Sequence, residues 1–169
     1  MIRPITKYGV PLLHRPANPV TDITPDIAAL ARDMVDTMYA APGLGLAAPQ
    51  VGVSVRLIVI DLSLGRDPDG LITLINPEFV ERDGMQLTDE GCLSLPGFNA
   101  TVPRPQRATI RGFDLTGVER RYSGNGLLAR AFQHEMDHLD GRVFVDHLRG
   151  IKRDLIVRRI RKRIRAGKW

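Results

Sequence analysis

The sequence predicts one globular domain that contains both α-helices and β-strands. Three stretches show the apolar spacing of amphipathic helices, and short apolar runs rich in Val and Ile, which favour strands, lie between the first two. The length of 169 residues suits a single domain, and 43% hydrophobic against 25% charged residues is typical of a globular chain. No apolar run approaches the ~20 residues of a membrane span, and the N-terminus lacks the apolar core of a signal peptide, so we expect no membrane partner.

The N-terminal third predicts an arm, a helix and a glycine-rich turn. Four prolines in residues 1–20 favour an extended arm. A helix should follow, because the Thr24 side chain can cap it and Pro25 suits its first turn. Residues 43–52 read Gly-Leu-Gly-Leu-Ala-Ala-Pro-Gln-Val-Gly, a segment where glycine lets a ligand come close. A dinucleotide-binding loop is excluded because Ala48 breaks the required glycine spacing.

The middle of the chain predicts strands. The densest apolar run, residues 55–60, should be mostly buried. Asn76-Pro77 should end the next strand, since proline cannot donate to a ladder. The predicted strands are 55–60, 71–75, a hairpin over 78–88 that turns at Asp83-Gly84, and 107–113 and 117–122 joined at Asp114.

A second helix should carry the pentad His134-Glu135-Met136-Asp137-His138, with Gly141 placed to end it. Residues four apart lie on one helix face, so His134 and His138 can hold one metal ion. Glu135 would then stand beside the metal and could move protons for a bound water. Two histidines can also share a helix by chance, so the pentad needs support from the rest of the chain.

Cys92 is the only cysteine, which excludes an internal disulfide and fits a reducing compartment, so we expect a cytoplasmic protein. A lone cysteine is most often a small buried hydrophobe. Cys92 is also the only soft ligand available to join the two histidines. Two His and one Cys would leave one tetrahedral position for water, as in catalytic sites.

A third helix is predicted over residues 151–165, with Ile151, Leu155, Ile156, Ile160 and Ile164 along one face. Residues 149–169 hold ten of the 24 basic residues and one of the 19 acidic ones, a net +9. The remaining 14 basic and 18 acidic residues give residues 1–148 a net −4. A polyanionic neighbour, nucleic acid first, would suit such a segment, although many charge runs are only solvated.

Three segments together resemble the peptide deformylase family. They are Gly43-Leu44-Gly45-Leu46-Ala47-Ala48-Pro49-Gln50, Glu90-Gly91-Cys92-Leu93-Ser94 and Gln133-His134-Glu135-Met136-Asp137-His138, and they stand in the family order. The resemblance covers about the whole chain and implies removal of the formyl group from the initiator methionine of new polypeptides. It also implies an α+β fold, with antiparallel β-sheets around a central metal-binding α-helix and a C-terminal basic helix.

The resemblance also implies the role of each site residue. Cys92, His134 and His138 would hold one divalent ion per chain, Fe(II) as the native metal, with Zn(II), Ni(II) or Co(II) possible. Glu135 would move the proton of the attacking water. The Leu93 backbone N–H and the Gln50 amide would receive the charge that grows on the formyl oxygen, and Gly45 would let its loop lie close to the substrate.

A methionine pocket is predicted beside the metal. Leu127, Arg130, Ala131 and His134 share a helix face, and Leu44 could close the apolar wall from the glycine-rich segment. Arg130 should pack its stem and carry its charge to the rim. Plain core packing is an equal alternative for Leu127 and Ala131.

Two other functions fit the pentad less well. A metzincin protease needs a third histidine ligand at the position where this chain has Phe144. Other zinc proteases use a glutamate downstream of the pentad as the third ligand, and the only acidic residue after Asp146 is Asp154. An RNA-binding module with structural zinc needs a fourth ligand, and His14 and His147 lie near no motif.

The chain is therefore expected to comprise a catalytic part, residues 1–148, and the basic helix, residues 149–169, packed on the same domain. Bacterial-type members use a similar helix at the ribosome, which implies ribosomal RNA and exit-tunnel proteins as partners beside the formylated nascent chain. A chain cut before Arg149 should still act on a free peptide. We also expect Glu90 and Arg104 to pair, because an ionised carboxylate beside a dry ligand loop needs a partner.

Overall fold

The computed structural model describes all 169 residues and contains three α-helices and seven strands, which confirms the α+β prediction. The helices are α1 (Pro25–Ala40), α2 (Leu127–Leu139) and α3 (Ile151–Arg165). The strands are β1 (Gly45–Ala47), β2 (Leu57–Ile60), β3 (Ile72–Asp83), β4 (Gln86–Gly91), β5 (Asn99–Arg104), β6 (Arg107–Phe113) and β7 (Glu119–Asn125). None of the helices has the length and apolar character needed to cross a bilayer.

An antiparallel five-stranded sheet in the order β1-β2-β3-β6-β7 lies between two helices. Successive side chains of a strand point to opposite faces, and all four of β2 are buried. Ile58 and Ile60 pack in the cluster that contains Phe132 of α2, whereas Leu57 and Val59 pack in the cluster that contains Met34 of α1. The strand β2 therefore anchors both helices.

The arm and the first helix agree with the predictions. Pro11–His14 forms one short 3-10 turn in residues 1–20, and the Ile27 N–H donates to Thr24 Oγ1 at 3.4 Å to cap α1. The glycine-rich segment is only partly a turn, because residues 45–47 form β1 and pair with β2.

The predicted end of a strand at Asn76-Pro77 was wrong, because β3 continues to Asp83. Asn76 adopts φ 51°, which asparagine tolerates better than most residues, and the register with β6 shifts at this point. The Asn76 side chain donates to the Val20 carbonyl and accepts from the Val20 N–H, both at 2.8 Å. A bulge thus replaces the predicted break and fastens the arm to the sheet.

The predicted hairpin over residues 78–88 was also wrong. The chain does turn near Gly84, at φ 71°, but β3 pairs with β6 while β4 pairs with β5 in a separate two-stranded sheet. The strand β5 was not predicted. The Gln86 side chain ties the start of β4 to the segments before β6 and α2 by donating to the carbonyls of Pro105 and Gly126.

The basic helix α3 packs through a narrower face than predicted. Val157 and Ile160 are buried, and Ile160 belongs to a third core cluster that also contains Val102 of β5. Ile151 is 77% exposed and Leu155 is 45% exposed, so the first turns of α3 contribute little to the core.

We predict that Gly141→Ala destabilises the fold more than Gly167→Ala. Both glycines follow a helix and have positive φ, at 76° and 68°. An added Cβ at Gly141 would lie 2.7–2.8 Å from the backbone of His14 and Arg15, whereas Gly167 faces open space. We expect decreases of about 3 kcal/mol and about 1 kcal/mol in the free energy of unfolding, measured in urea. Equal decreases would mean that the arm does not pack on this turn as described.

Candidate metal centre and substrate cavity

The histidine face of α2 is turned towards β4 and the loop that follows it. Ala129, Phe132, Met136 and Leu139 lie on the opposite face and fill the core, which fixes the rotation of the helix. The ligand-type atoms of Cys92, His134 and His138 lie within 4.8 Å of one another, and Cys92 Sγ is 3.3 Å from His138 Nε2.

A buried ion-pair network orients His134. Arg104 donates two hydrogen bonds to Glu90, at 2.8 Å and 2.6 Å, and both side chains are at most 5% exposed, which confirms the predicted pair. Glu90 Oε1 lies 2.5 Å from His134 Nδ1. A carboxylate can only accept, so Nδ1 carries the proton and Nε2 is left free to bind a metal.

The network also reaches His147, which lies outside all three sequence motifs. Arg104 Nη1 donates to Asp137 at 2.9 Å, and His147 Nε2 lies 2.6 Å from the same carboxylate oxygen. His147 therefore supports the pentad through Asp137, although it lies near no motif in the sequence. The spacing of ten residues across an irregular segment offered no signal for this contact.

The pKa values of this network follow from its partners. Burial alone would raise the pKa of Glu90, but the hydrogen bonds from Arg104 and His134 hold it at about 2. Burial opposes ionisation of Asp137 as well, yet His147 and Arg104 lower its pKa below the ordinary value. Both carboxyl groups are therefore ionised at neutral pH, and both pair with Arg104.

Glu135 is buried beside the ligands and is the least satisfied of the carboxyl groups. Burial raises its pKa to about 7, and Oε2 has no hydrogen-bond partner. The only other buried side-chain atom without a partner is His138 Nδ1. Burial also lowers the pKa of His138, which keeps this imidazole neutral and able to act as a ligand.

Gly45 gives Glu135 its space. An added Cβ at Gly45 would stand 2.6 Å from Glu135 Oε1, so only glycine allows β1 to approach the carboxyl group this closely. Gln50 is buried next to it, and its Oε1 accepts from the Ala47 N–H at 3.0 Å. That bond directs the amide Nε2 towards Ser94 Oγ at 3.1 Å and Cys92 Sγ at 3.7 Å.

A cavity of about 450 Å³ opens beside these residues. Its lining includes ten of the eleven predicted site residues: Leu44, Gly45, Gln50, Cys92, Leu93, Leu127, Arg130, Ala131, His134 and Glu135. His138 is fully buried behind them. Leu127 is 43% exposed, so it is a wall residue and not core. Arg130 donates to Thr88 Oγ1 and to the Asp89 carbonyl, so its charge lies at the rim as expected.

The donor set fits a divalent transition metal. A thiolate and two imidazoles suit Zn(II), Fe(II), Co(II) and Ni(II) better than Mg(II) or Ca(II), which prefer oxygen. The two unpartnered polar atoms lie in this same site, where an ion and its water would supply the missing interactions. The geometry is that of an open site that can polarise a small substrate.

Comparisons with known proteins agree with this chemistry. The family model for polypeptide deformylase matches residues 2–154. A peptide deformylase of Acidobacterium capsulatum is 53% identical over 169 residues, covering 100% of this chain and 99% of the relative. A peptide deformylase structure from Legionella pneumophila superposes with a TM-score of 0.91 at 42% identity, covering 99% of this chain and 98% of that one. The structure from Thermus thermophilus gives 0.88 at 40% identity, with the same coverage.

We predict that Glu90→Ala costs about 3 kcal/mol of stability, because it leaves the Arg104 charge buried with one partner fewer. The matched control is Glu78→Ala, which breaks an exposed pair with Arg111 at 3.2 Å and should cost less than about 1 kcal/mol. Urea unfolding of both variants with metal bound makes the comparison. A similar cost for the two would show that the buried network does not stabilise the fold.

Proposed function

The chain belongs to the polypeptide deformylase family, a family of metal-dependent hydrolases, and it removes the N-formyl group from newly synthesised polypeptides. We propose the following chemical role for each residue of the site. The observation that carries the proposal is the cluster of three metal-ligand side chains beside a cavity that also exposes a buried carboxyl group and two hydrogen-bond donors. Each residue is assigned by what its atoms can reach.

Cys92, His134 and His138 would hold one divalent ion, with Fe(II) as the native metal and Zn(II), Ni(II) or Co(II) able to replace it. Such an ion, when bound, lowers the pKa of a water and polarises the formyl group. The thiolate of Cys92 donates charge to the ion, so this site should acidify water less than three neutral imidazoles would. Glu90 supports the assignment, because its contact with His134 Nδ1 leaves Nε2 for the ion.

Glu135 is the proposed proton carrier. Its unpartnered Oε2 can accept the proton of the attacking water, and the same atom can return that proton to the leaving amine. Burial raises the pKa of this carboxyl group, which favours its acceptance of a proton from the water. Gly45 permits this placement because it leaves no Cβ in the way.

Gln50 and Leu93 are the proposed donors to the formyl oxygen. The Leu93 backbone N–H makes no hydrogen bond within the chain, and the Gln50 amide is already directed at Cys92 by its bond to Ala47. Loss of one such donor typically costs about 3 kcal/mol of transition-state stabilisation. Leu44, Leu127 and Ala131 would enclose the methionine side chain, with Arg130 at the rim.

The basic helix α3 is the proposed contact with the ribosome, through ribosomal RNA and proteins near the exit tunnel. Nine of the ten Lys and Arg residues in the segment 149–169 are exposed, which suits a phosphate surface. Because formylated chains emerge from cytoplasmic ribosomes, we place the enzyme in the cytoplasm. We also propose a division between a catalytic part, residues 1–148, which holds all the proposed site residues, and this segment, residues 149–169.

Metal binding and catalysis should separate by mutation. We expect Glu135→Ala to keep a stoichiometric metal ion and lose nearly all activity on formyl-Met-Ala, because Glu135 moves protons and does not ligate. Cys92→Ala should lose both the metal and the activity. Metal analysis and a formate-release assay on the same preparations test this. A Glu135→Ala protein without metal would contradict the assignment, and digestion of casein by the wild type would instead favour a protease.

The bound metal should set the sensitivity to oxygen. A partly exposed thiolate beside Fe(II) in an open site is prone to oxidation, whereas Ni(II) does not readily change its oxidation state. We expect the iron-loaded enzyme to lose activity in air while the nickel-loaded enzyme persists. Half-lives of the two forms in air and under argon make the measurement. Equal half-lives in air would count against a redox-active native metal.

Neutralising the exposed face of α3 should weaken ribosome binding. We expect the triple variant Arg158→Gln, Arg159→Gln, Lys162→Gln to co-sediment less with ribosomes. Its binding should also depend less on salt, because each phosphate contact contributes about 0.9 to the slope of log binding constant against log salt concentration. The control variant carries the same change at three exposed arginines outside α3: Arg66→Gln, Arg82→Gln and Arg121→Gln. If both triple variants sediment alike, α3 is not the anchor.

A further inference from the structure

The loop of residues 92–98 joins β4 to β5 and has two faces. One face lines the cavity through Cys92, Leu93, Pro96 and Gly97. The other face belongs to the third core cluster, which also contains Ile160 of α3, and its members from the loop are Leu95 and Phe98. Leu95 is fully buried and Phe98 is 7% exposed, so this second face is firmly packed. The position of the proposed ligand Cys92 therefore depends on what lies behind its loop.

Two residues at the end of the basic helix contact the loop from behind. The Arg163 guanidinium carbon lies 4.8 Å from the centre of the Phe98 ring, and its Nη1 is 3.5 Å from the Pro96 carbonyl oxygen. The Trp169 ring meets Phe98 edge-on, with 5.9 Å between ring centres. Phe98 is thus held by a cation–π contact and an aromatic contact at once.

The turn after α3 brings Trp169 to this position and ties it to the arm. Gly167 has φ 68°, and the Lys168 N–H donates to the Arg163 carbonyl at 2.9 Å, so the chain folds back along the helix. Trp169 Nε1 then donates to the Tyr8 carbonyl at 2.8 Å. The Tyr8 N–H donates to the Ser94 carbonyl at 2.9 Å, which closes the path back to the ligand loop.

We propose that Arg163 and Trp169 are positioning residues for the metal centre: they brace the loop 92–98 from behind and so fix Cys92 and Leu93. This inference rests on the proposed role of Cys92 as a ligand. It means that α3 is more than a docking segment, because its last turn is part of the wall that supports the cavity. A chain cut before Arg149, which should still act on a free peptide, would lack this brace and should release its metal faster.

The test uses zinc-loaded, full-length protein and three variants. Arg163→Ala removes the contact with Phe98. Arg163→Lys keeps the charge of α3 but removes the planar group that stacks on the ring and reaches Pro96. Arg121→Ala removes an exposed arginine of β7, far along the chain from the loop, and serves as the matched control. Because Arg163 is itself exposed, its variants should fold.

Two readouts do not depend on activity. The first is the rate at which a chelator removes zinc. We expect this rate to rise about threefold to tenfold in Arg163→Ala and Arg163→Lys, a factor that corresponds to the strength of one cation–π interaction. The second is the emission of Trp169, the only tryptophan, which therefore reports on this part of the molecule alone. Zinc removal should change that emission in the wild type and in Arg121→Ala, and change it less in both Arg163 variants, where the loop is uncoupled from α3.

The outcomes separate the brace from the rest of the proposed function. If all four proteins release zinc at the same rate, the brace is wrong, even if the melting temperature of an Arg163 variant falls. If Arg163→Lys releases zinc at the wild-type rate, the charge at position 163 supports the loop and the stacking on Phe98 does not. The proposed brace is wrong in that case as well. A wild type that binds no zinc would instead contradict Cys92, His134 and His138 as the ligand set.

Discussion

The buried Arg104 side chain is the group on which the site depends. It stands on β5, pairs with Glu90 on β4 and with Asp137 on α2, and so joins the two-stranded β4–β5 sheet to the helix that carries the histidines. An unpaired guanidinium here would cost several kcal/mol, so the network forms as a whole or not at all. Because Glu90 also contacts His134, the same interaction that closes the fold orients a proposed metal ligand.

The two structural units that supply the proposed metal ligands meet at this network. The five-stranded sheet and α2 supply His134, Glu135 and His138 on a rigid helix, and the separate β4–β5 sheet supplies Cys92 on a loop. Rigid packing of α2 against β2 sets one half of the site, whereas the other half relies on what supports the loop. That difference is why support of the loop by α3 would bear on the metal centre, and Cys92 packs against the same core cluster as Ile160 of α3.

Local patterns predicted most of the elements, and together with the family resemblance they predicted ten of the 17 residues that line the cavity. The helix over 151–165 and the strand over 107–113 have the predicted bounds, and the Glu90–Arg104 pair is present. The misses arose from long-range contacts. The side chain of Asn76 bonds to Val20 and permits a bulge where proline suggested an end, and β4 leaves the main sheet to pair with an unpredicted strand. His147 could not be placed, because its partner Asp137 is reached only after the chain folds back.

X-ray absorption spectroscopy of the iron-loaded protein, kept free of oxygen, tests the proposed ligand set most directly. The geometry predicts one sulfur at about 2.3 Å, from Cys92, and two imidazole nitrogens at about 2.1 Å, from His134 and His138, with one lighter oxygen or nitrogen scatterer completing the site. A spectrum without a sulfur shell, or with one histidine or three, would show that the metal is held by other residues than these.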